Sequence, residues 1–134
     1  MTPFHLKIVT PDGLIFDGEA EELIVRTTGG DVGILARHMN YVAPLGMGQA
    51  VIIAGGQRRT AACIGGMVSV VNGEVTLVPT TFEWAEAIDK ERAEAAYQKA
   101  EKVLHDANAS DTELRLAEAK LHRALVRKSV ASKL

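Results

Sequence analysis

Every glycine and every proline in this chain lies before residue 84, all 12 of the first and all 4 of the second. The last of them is Pro79, and residues 85–134 contain neither. Both residues punctuate turns, and inside a helix they cost about 1 and about 3 kcal/mol relative to alanine. So sharp a boundary divides the chain into two parts that fold differently. Residues 1–84 read as β structure and residues 85–134 as helix, an α+β class with the two parts in succession.

The first part shows short strands between turn signals. Phe4, Leu6 and Ile8 alternate with His5 and Lys7, the period of a half-buried strand. Thr10-Pro11-Asp12-Gly13 is a turn, with proline presetting φ and glycine accepting positive φ. Leu23–Thr27, Ala50–Ala54, Arg59–Ile64, Met67–Val71 and Glu74–Val78 read as further strands. Asn72-Gly73 predicts a type I′ hairpin between the last two, and Gly55-Gly56 predicts another. Gly46-Met47-Gly48 lacks the third glycine of a dinucleotide loop and reads as a turn. Many short strands at this spacing predict a sandwich or a flattened barrel. Aromatics are only 4% of the chain, so its core must come from Val, Ile, Leu and Ala.

The second part carries two helical patterns. Asp89 is a good N-cap, with Ile88 before it. Ala93, Tyr97, Ala100, Val103, Leu104 and Ala107 follow as one stripe. Asp106–Ser110 is a polar break, and Ser110-Asp111-Thr112-Glu113 has the form of a capping box. Leu114, Ala117, Leu121, Ala124 and Leu125 make a second stripe. The short break predicts an antiparallel two-helix hairpin, in which alanines allow close approach. Charge is uneven. Residues 110–134 hold Arg115, Lys120, Arg123, Arg127, Lys128 and Lys133 against Asp111, Glu113 and Glu118, a net +3 in a chain whose total is −2.

Composition removes several functions. A net charge of −2 gives no electrostatic case for binding nucleic acid. No apolar run approaches the ~20 residues that span a bilayer, and no basic-then-apolar leader opens the chain, so direct membrane insertion is not expected. The one cysteine, Cys63, lies in a strand-like run and reads as a small buried hydrophobe. His5, His38, His105 and His122 show no metal-ligand spacing, so no metal site is expected. No glycine-rich phosphate loop and no dinucleotide fingerprint occurs, and the chain does not read as an enzyme. A Cys63 nucleophile with His38 as base remains a formal alternative without local support.

One constellation invites a ligand. Asp89, Arg92 and Lys99 stand three and seven apart, and Arg123 and Arg127 lie one turn apart on the second helix. On a closed hairpin these cations would converge, and guanidinium forks suit phosphate oxygens. Salt bridges along exposed helix faces explain the same spacing. Spacing alone leaves both readings open.

Several segments, in order along the chain, resemble the epsilon subunits of bacterial F-type ATP synthases. They are residues 6–13, 25–35, 42–45, 64–70, 88–93 and 124–130. The resemblance implies a β-sandwich of about ten strands followed by a two-helix hairpin. It implies a non-catalytic rotor subunit of the central stalk, docked on the gamma subunit and the c-ring, peripheral to the cytoplasmic face of the bacterial plasma membrane. Asp31, Gly33 and His38 match the segment facing the rotor. The family usually has Pro-Gly before that histidine, where this chain has Ala36-Arg37.

The resemblance also implies that the helices regulate. Extended along gamma, they would meet an acidic segment of the beta subunit and hinder ATP hydrolysis, with Arg115, Arg123, Arg127 and Lys128 as the contacts. The family's nucleotide motif, Ile or Leu-Asp-x-x-Arg-Ala, stands here as Ile88-Asp89-Lys90-Glu91-Arg92-Ala93. Glu83, Arg123 and Arg127 match the other positions of ATP-binding members, and Lys99 stands where those members usually have arginine. ATP is then a regulatory ligand rather than a required cofactor, with Mg²⁺ an open companion. Against this stand two alternatives: a stand-alone ATP-sensing module, and a purely structural stalk subunit.

Overall fold

The structure is a computed structural model that describes residues 2–132. Eight strands come first: β1 (Phe4–Thr10), β2 (Gly13–Ala20), β3 (Glu22–Thr27), β4 (Gly30–Ile34), β5 (Tyr41–Pro44), β6 (Met47–Ala54), β7 (Gln57–Val71) and β8 (Glu74–Trp84). A single 3-10 turn at Ala85–Ala87 leads into α1 (Lys90–Leu104) and α2 (Asp111–Ala131). The chain divides into two compact units, Met1–Trp84 and Ala85–Leu134.

The strands run β2-β1-β8-β7-β6-β3-β4, with β5 added to β7. All pairings are antiparallel except β1 with β8, which is parallel over Leu6–Ile8 and Val75–Leu77. Alternation puts Leu6, Ile8, Val68, Val70, Val75 and Leu77 inward from one half of the sheet. Leu23, Val25, Ile34, Ala50, Ile52 and Cys63 face them from the other, in one apolar core. Fully burying one such aliphatic side chain contributes about 1.5–3 kcal/mol.

Eight strands stand where the resemblance implies about ten, because β7 and β8 are long. Arg59–Ile64 and Met67–Val71 are two parts of β7, which changes partner from β6 to β5 at Gly65-Gly66. Both glycines have positive φ, and a Cβ on Gly66 would lie 2.0 Å from the carbonyl oxygen of Val78. The turns follow the residues that signal them: Asn72 and Gly73 have φ of 49° and 81°, as type I′ requires. Strands β2, β4 and β5 carry weak alternation and escape the sequence reading. Gly46-Met47-Gly48 is not simply a turn, since Met47 and Gly48 open β6. Glycine is needed there because a Cβ on Gly48 would lie 2.6 Å from Cβ of Arg26.

The hairpin has defined ends. Asp89 caps α1 by accepting from the Arg92 N–H at 3.0 Å. The capping box at Ser110 and Glu113 starts α2. Ala107 falls in the connection rather than on α1, which closes at His105. Ala93 and Ala100 are buried on α1, and Ala117 and Ala124 on α2. Leu125, expected in the second stripe, is 48% exposed, and Val126 is buried in its place. α2 buries Ala117, Ala124 and Ala131 on one side and Val126 and Val130 on another, which blurs its apolar period. Lys133, counted in the basic stretch, lies outside the described residues. No helix among the described residues is long and apolar enough to cross a membrane.

Candidate functional site

Packing two alanine-rich faces leaves a cleft of about 370 Å³ between α1 and α2. That is within the usual range for small-molecule sites. Its apolar lining includes buried Ala100, Ala117 and Ala124 and exposed Leu116. Its rim carries Lys99 from α1 and Lys120, Arg123 and Arg127 from α2, against Glu113 alone. Lys99, Arg123 and Arg127, expected from the sequence to face a nucleotide, thus line one cleft.

The rest of that set sits elsewhere. Arg92 is exposed and does not border the cleft. The Asp89 carboxylate is engaged by the backbone as a cap. Ile88 and Ala93 are buried. Glu83 belongs to β8, paired with Ala62 in the sheet. Lys120 and Glu113 line the cleft but were not singled out for it. Their signal was present in the sequence: 113, 116, 120, 123 and 127 recur at three or four residues, one row on a helix.

A clasp joins the helices at the other end of the hairpin. Lys128 Nζ lies 2.5 Å from Glu94 Oε2 and 4.2 Å from the centre of the Tyr97 ring. The hydrogen bond from Lys128, with a second from Gln98, holds the Glu94 carboxyl below the ordinary carboxylate range. The bond to Glu101 pushes the Tyr97 hydroxyl up. The four cations expected to inhibit are therefore split. Arg123 and Arg127 line the cleft, Lys128 is clasped, and Arg115 is exposed.

In the sandwich, Asp31 on β4 pairs with Arg26 on β3 at 2.9 Å, and Gly33 follows on the same strand. His38 lies in the β4–β5 connection, where its Nδ1 meets the Met39 carbonyl at 2.8 Å and its ring stands edge-on to Tyr41. Arg37 has φ of 65°, so the backbone keeps a glycine-like conformation although the glycine is gone. Met39 is 75% and Val42 61% exposed beside it. His5, Arg37, His38 and Glu74 border one shallow depression. Cys63 is a core residue whose burial pushes its thiol up to about 12, which makes it inert as a nucleophile. Among the described residues, no group of three His, Cys, Asp or Glu could hold a metal ion.

Comparison with known proteins agrees with this division. Residues 3–85 match the beta-sandwich domain of the ATP synthase delta/epsilon chain, and residues 86–132 match its long alpha-helix domain. The ATP synthase epsilon chain of Ruminococcus albus is 43% identical, covering 99% of each chain. That of Bacillus subtilis is 44% identical, over 99% of this chain and 100% of the relative. A chain of the mitochondrial ATP synthase of Euglena gracilis superposes with a TM-score of 0.85 at 21% identity, over 100% of this chain and 83% of that one, a likeness of fold. Matched over its whole length in sequence and in both parts of its architecture, the chain belongs to the ATP synthase delta/epsilon family, as a non-catalytic subunit of the epsilon type.

Proposed function

We propose that this chain is a rotor subunit of the central stalk, seated between the gamma subunit and the c-ring, on the cytoplasmic face of the bacterial membrane. Strand β4, with Asp31 and Gly33, and the β4–β5 connection, with His38 and exposed Met39, supply the docking end. The hairpin acts as a latch. Closed, it holds ATP; opened along gamma, it presents Arg115, Arg123, Arg127 and Lys128 to the beta subunit and hinders hydrolysis. One observation carries the sensing role: Lys99, Arg123 and Arg127 line a single cleft between the two helices. A ligand that needs cations from both helices binds the closed state alone and stabilises it. High ATP then keeps the latch shut and relieves inhibition.

Calorimetric titration of the full chain with ATP tests this reading, beside Arg123→Ala and Arg127→Ala. Saturable binding that either variant weakens supports it. Absence of binding at millimolar ATP would remove the sensor and leave a stalk subunit whose latch answers to rotation. Co-purification with gamma separates the rotor role from that of a stand-alone sensor.

A further inference from the structure

Asparagine is a chemically labile residue. The chain has three, Asn40, Asn72 and Asn108, and they differ in what holds them. The Asn40 Oδ1 accepts from the Asn72 N–H at 2.8 Å, and the bulky Tyr41 follows it. Asn108 is followed by Ala109, whose N–H donates to the Asp106 carbonyl at 3.2 Å. Asn72 is exposed in the turn between β7 and β8, and its side-chain amide has no hydrogen-bond partner among the described residues. Val71 and Glu74 close that hairpin, so Asn72 and Gly73 are its two loop residues. The Gly73 N–H lies outside the ladder, and among the described residues no hydrogen bond engages it. Nothing comes within 4 Å of where a Gly73 Cβ would stand. A free carboxamide thus precedes a free and unhindered backbone nitrogen.

We propose that Asn72 is a site of deamidation, and that its isoaspartyl product releases the β4–β5 connection from the β7–β8 turn. The tip first rotates out of its type I′ conformation, a motion that the glycine eases and that leaves the ladder beyond Val71 and Glu74 in place. Hydroxide takes the Gly73 N–H proton, and the nitrogen attacks Cγ of Asn72. The Cγ–Nδ2 bond breaks, the amide leaves as ammonia with a proton from water, and a cyclic succinimide remains. Water then opens the ring. Cleavage of the new N–Cγ bond gives aspartate. Cleavage of the original peptide N–C bond gives isoaspartate, with the main chain running through the former side chain. In both cases the sum is one water taken up and one ammonia released. The products differ in consequence. Asp-Gly suits the same turn. Isoaspartate adds a backbone carbon to a two-residue loop that has no slack, and so draws the residue 72 N–H away from Asn40 Oδ1. That bond ties the turn to the connection that carries His38 and Met39. Either product also sets a carboxylate near Glu74, on the border of the depression shared with His5 and Arg37.

The full chain, native and Asn72→Gly, is incubated in mildly alkaline buffer and mapped by peptide mass spectrometry. Gly-Gly is also favoured in this turn, so the variant keeps the hairpin and lacks the reactive group. The native chain is expected to show the amide-to-acid mass shift at residue 72 before residues 40 and 108, with most of the product resistant to a protease that cuts before aspartate. Amide exchange is then read on the isoaspartyl fraction after chromatographic separation. Its residue 72 amide is expected to lose protection, while aged Asn72→Gly and fresh Asn72→Asp keep theirs. No shift at residue 72 over a time in which the urea-unfolded chain converts would mean that the turn shields Asn72, and would overturn the site. Shifts at residues 40 and 108 as fast as at 72 would overturn it as well. Conversion to isoaspartate with the residue 72 amide still protected would overturn the release of the connection.

Discussion

Single residues carry several constraints that composition hides. Gly66 is one: its φ of 100° and the Val78 carbonyl 2.0 Å from any Cβ leave no room for a side chain. Gly66→Ala is expected to cost about 3 kcal/mol or more in urea unfolding, whereas Gly55→Ala, with open space around it, carries only the positive-φ penalty of about 1 kcal/mol. His5 is another. It lies 2.5 Å from both Asp17 and Glu74, and these hydrogen bonds, Asp17 first, raise its pKa above the ordinary 6.5. The same contact lowers that of Asp17 below 3.8. The protonated imidazole therefore adds stability that is complete below pH 6.5 and lost as pH rises through the raised value. The Asp17 share is lost at the acid end, as pH falls through its lowered value. The gap in melting temperature between the native chain and His5→Gln should be widest near pH 6 and shrink as pH rises through the raised value; a gap independent of pH would assign His5 a packing role only. Sequence showed His5 as an outward strand position, but its two carboxylates come from β2 and β8, the second 69 residues away. Alternation carries no such information. Arg37 hid for a different reason, since its αL backbone is imposed by the loop rather than by its own preference.

Elements were legible where local chemistry decides them. The capping box, the Asp89 cap and the Asn72-Gly73 turn are local, and they stand where their residues signal them. Strands β2, β4 and β5 were not, because their hold comes from pairing with strands distant in sequence. The cleft was partly legible: spacing showed Lys99 with the arginine pair, and the row at 113, 116, 120, 123 and 127 holds Lys120, but only the packing of α1 on α2 shows that Arg92 stands outside it. The register of that packing is pinned by the Lys128 clasp. Replacing Glu94 by Gln should loosen the hairpin and speed amide exchange in the first turns of α1 and the last turns of α2, more strongly at low salt than at high. Unchanged exchange would mean that the alanine faces alone set the register. Ser110→Ala removes a cap and should cost the hairpin about 1 kcal/mol by the same measurement.

At the scale of the molecule, the sandwich and the helical hairpin are two compact units. Every residue of the apolar core lies between Phe4 and Trp84. Residues 1–84 are therefore expected to fold alone with one cooperative transition, and their assembly into the enzyme should raise ATP hydrolysis if the hairpin inhibits. Loss of coupling instead would identify the helices as a brace. The parallel seam between β1 and β8 has a consequence for how the protein is made. Leu6 and Ile8 stand beside Val75 and Leu77 across that seam, in the same core. A growing or cleaved chain that stops short of Leu77 leaves its first strand with a bare edge, so the sandwich has no stable half-built form. Its birth is all-or-none, and a truncation before Leu77 should be cleared by proteases rather than persist as a fragment.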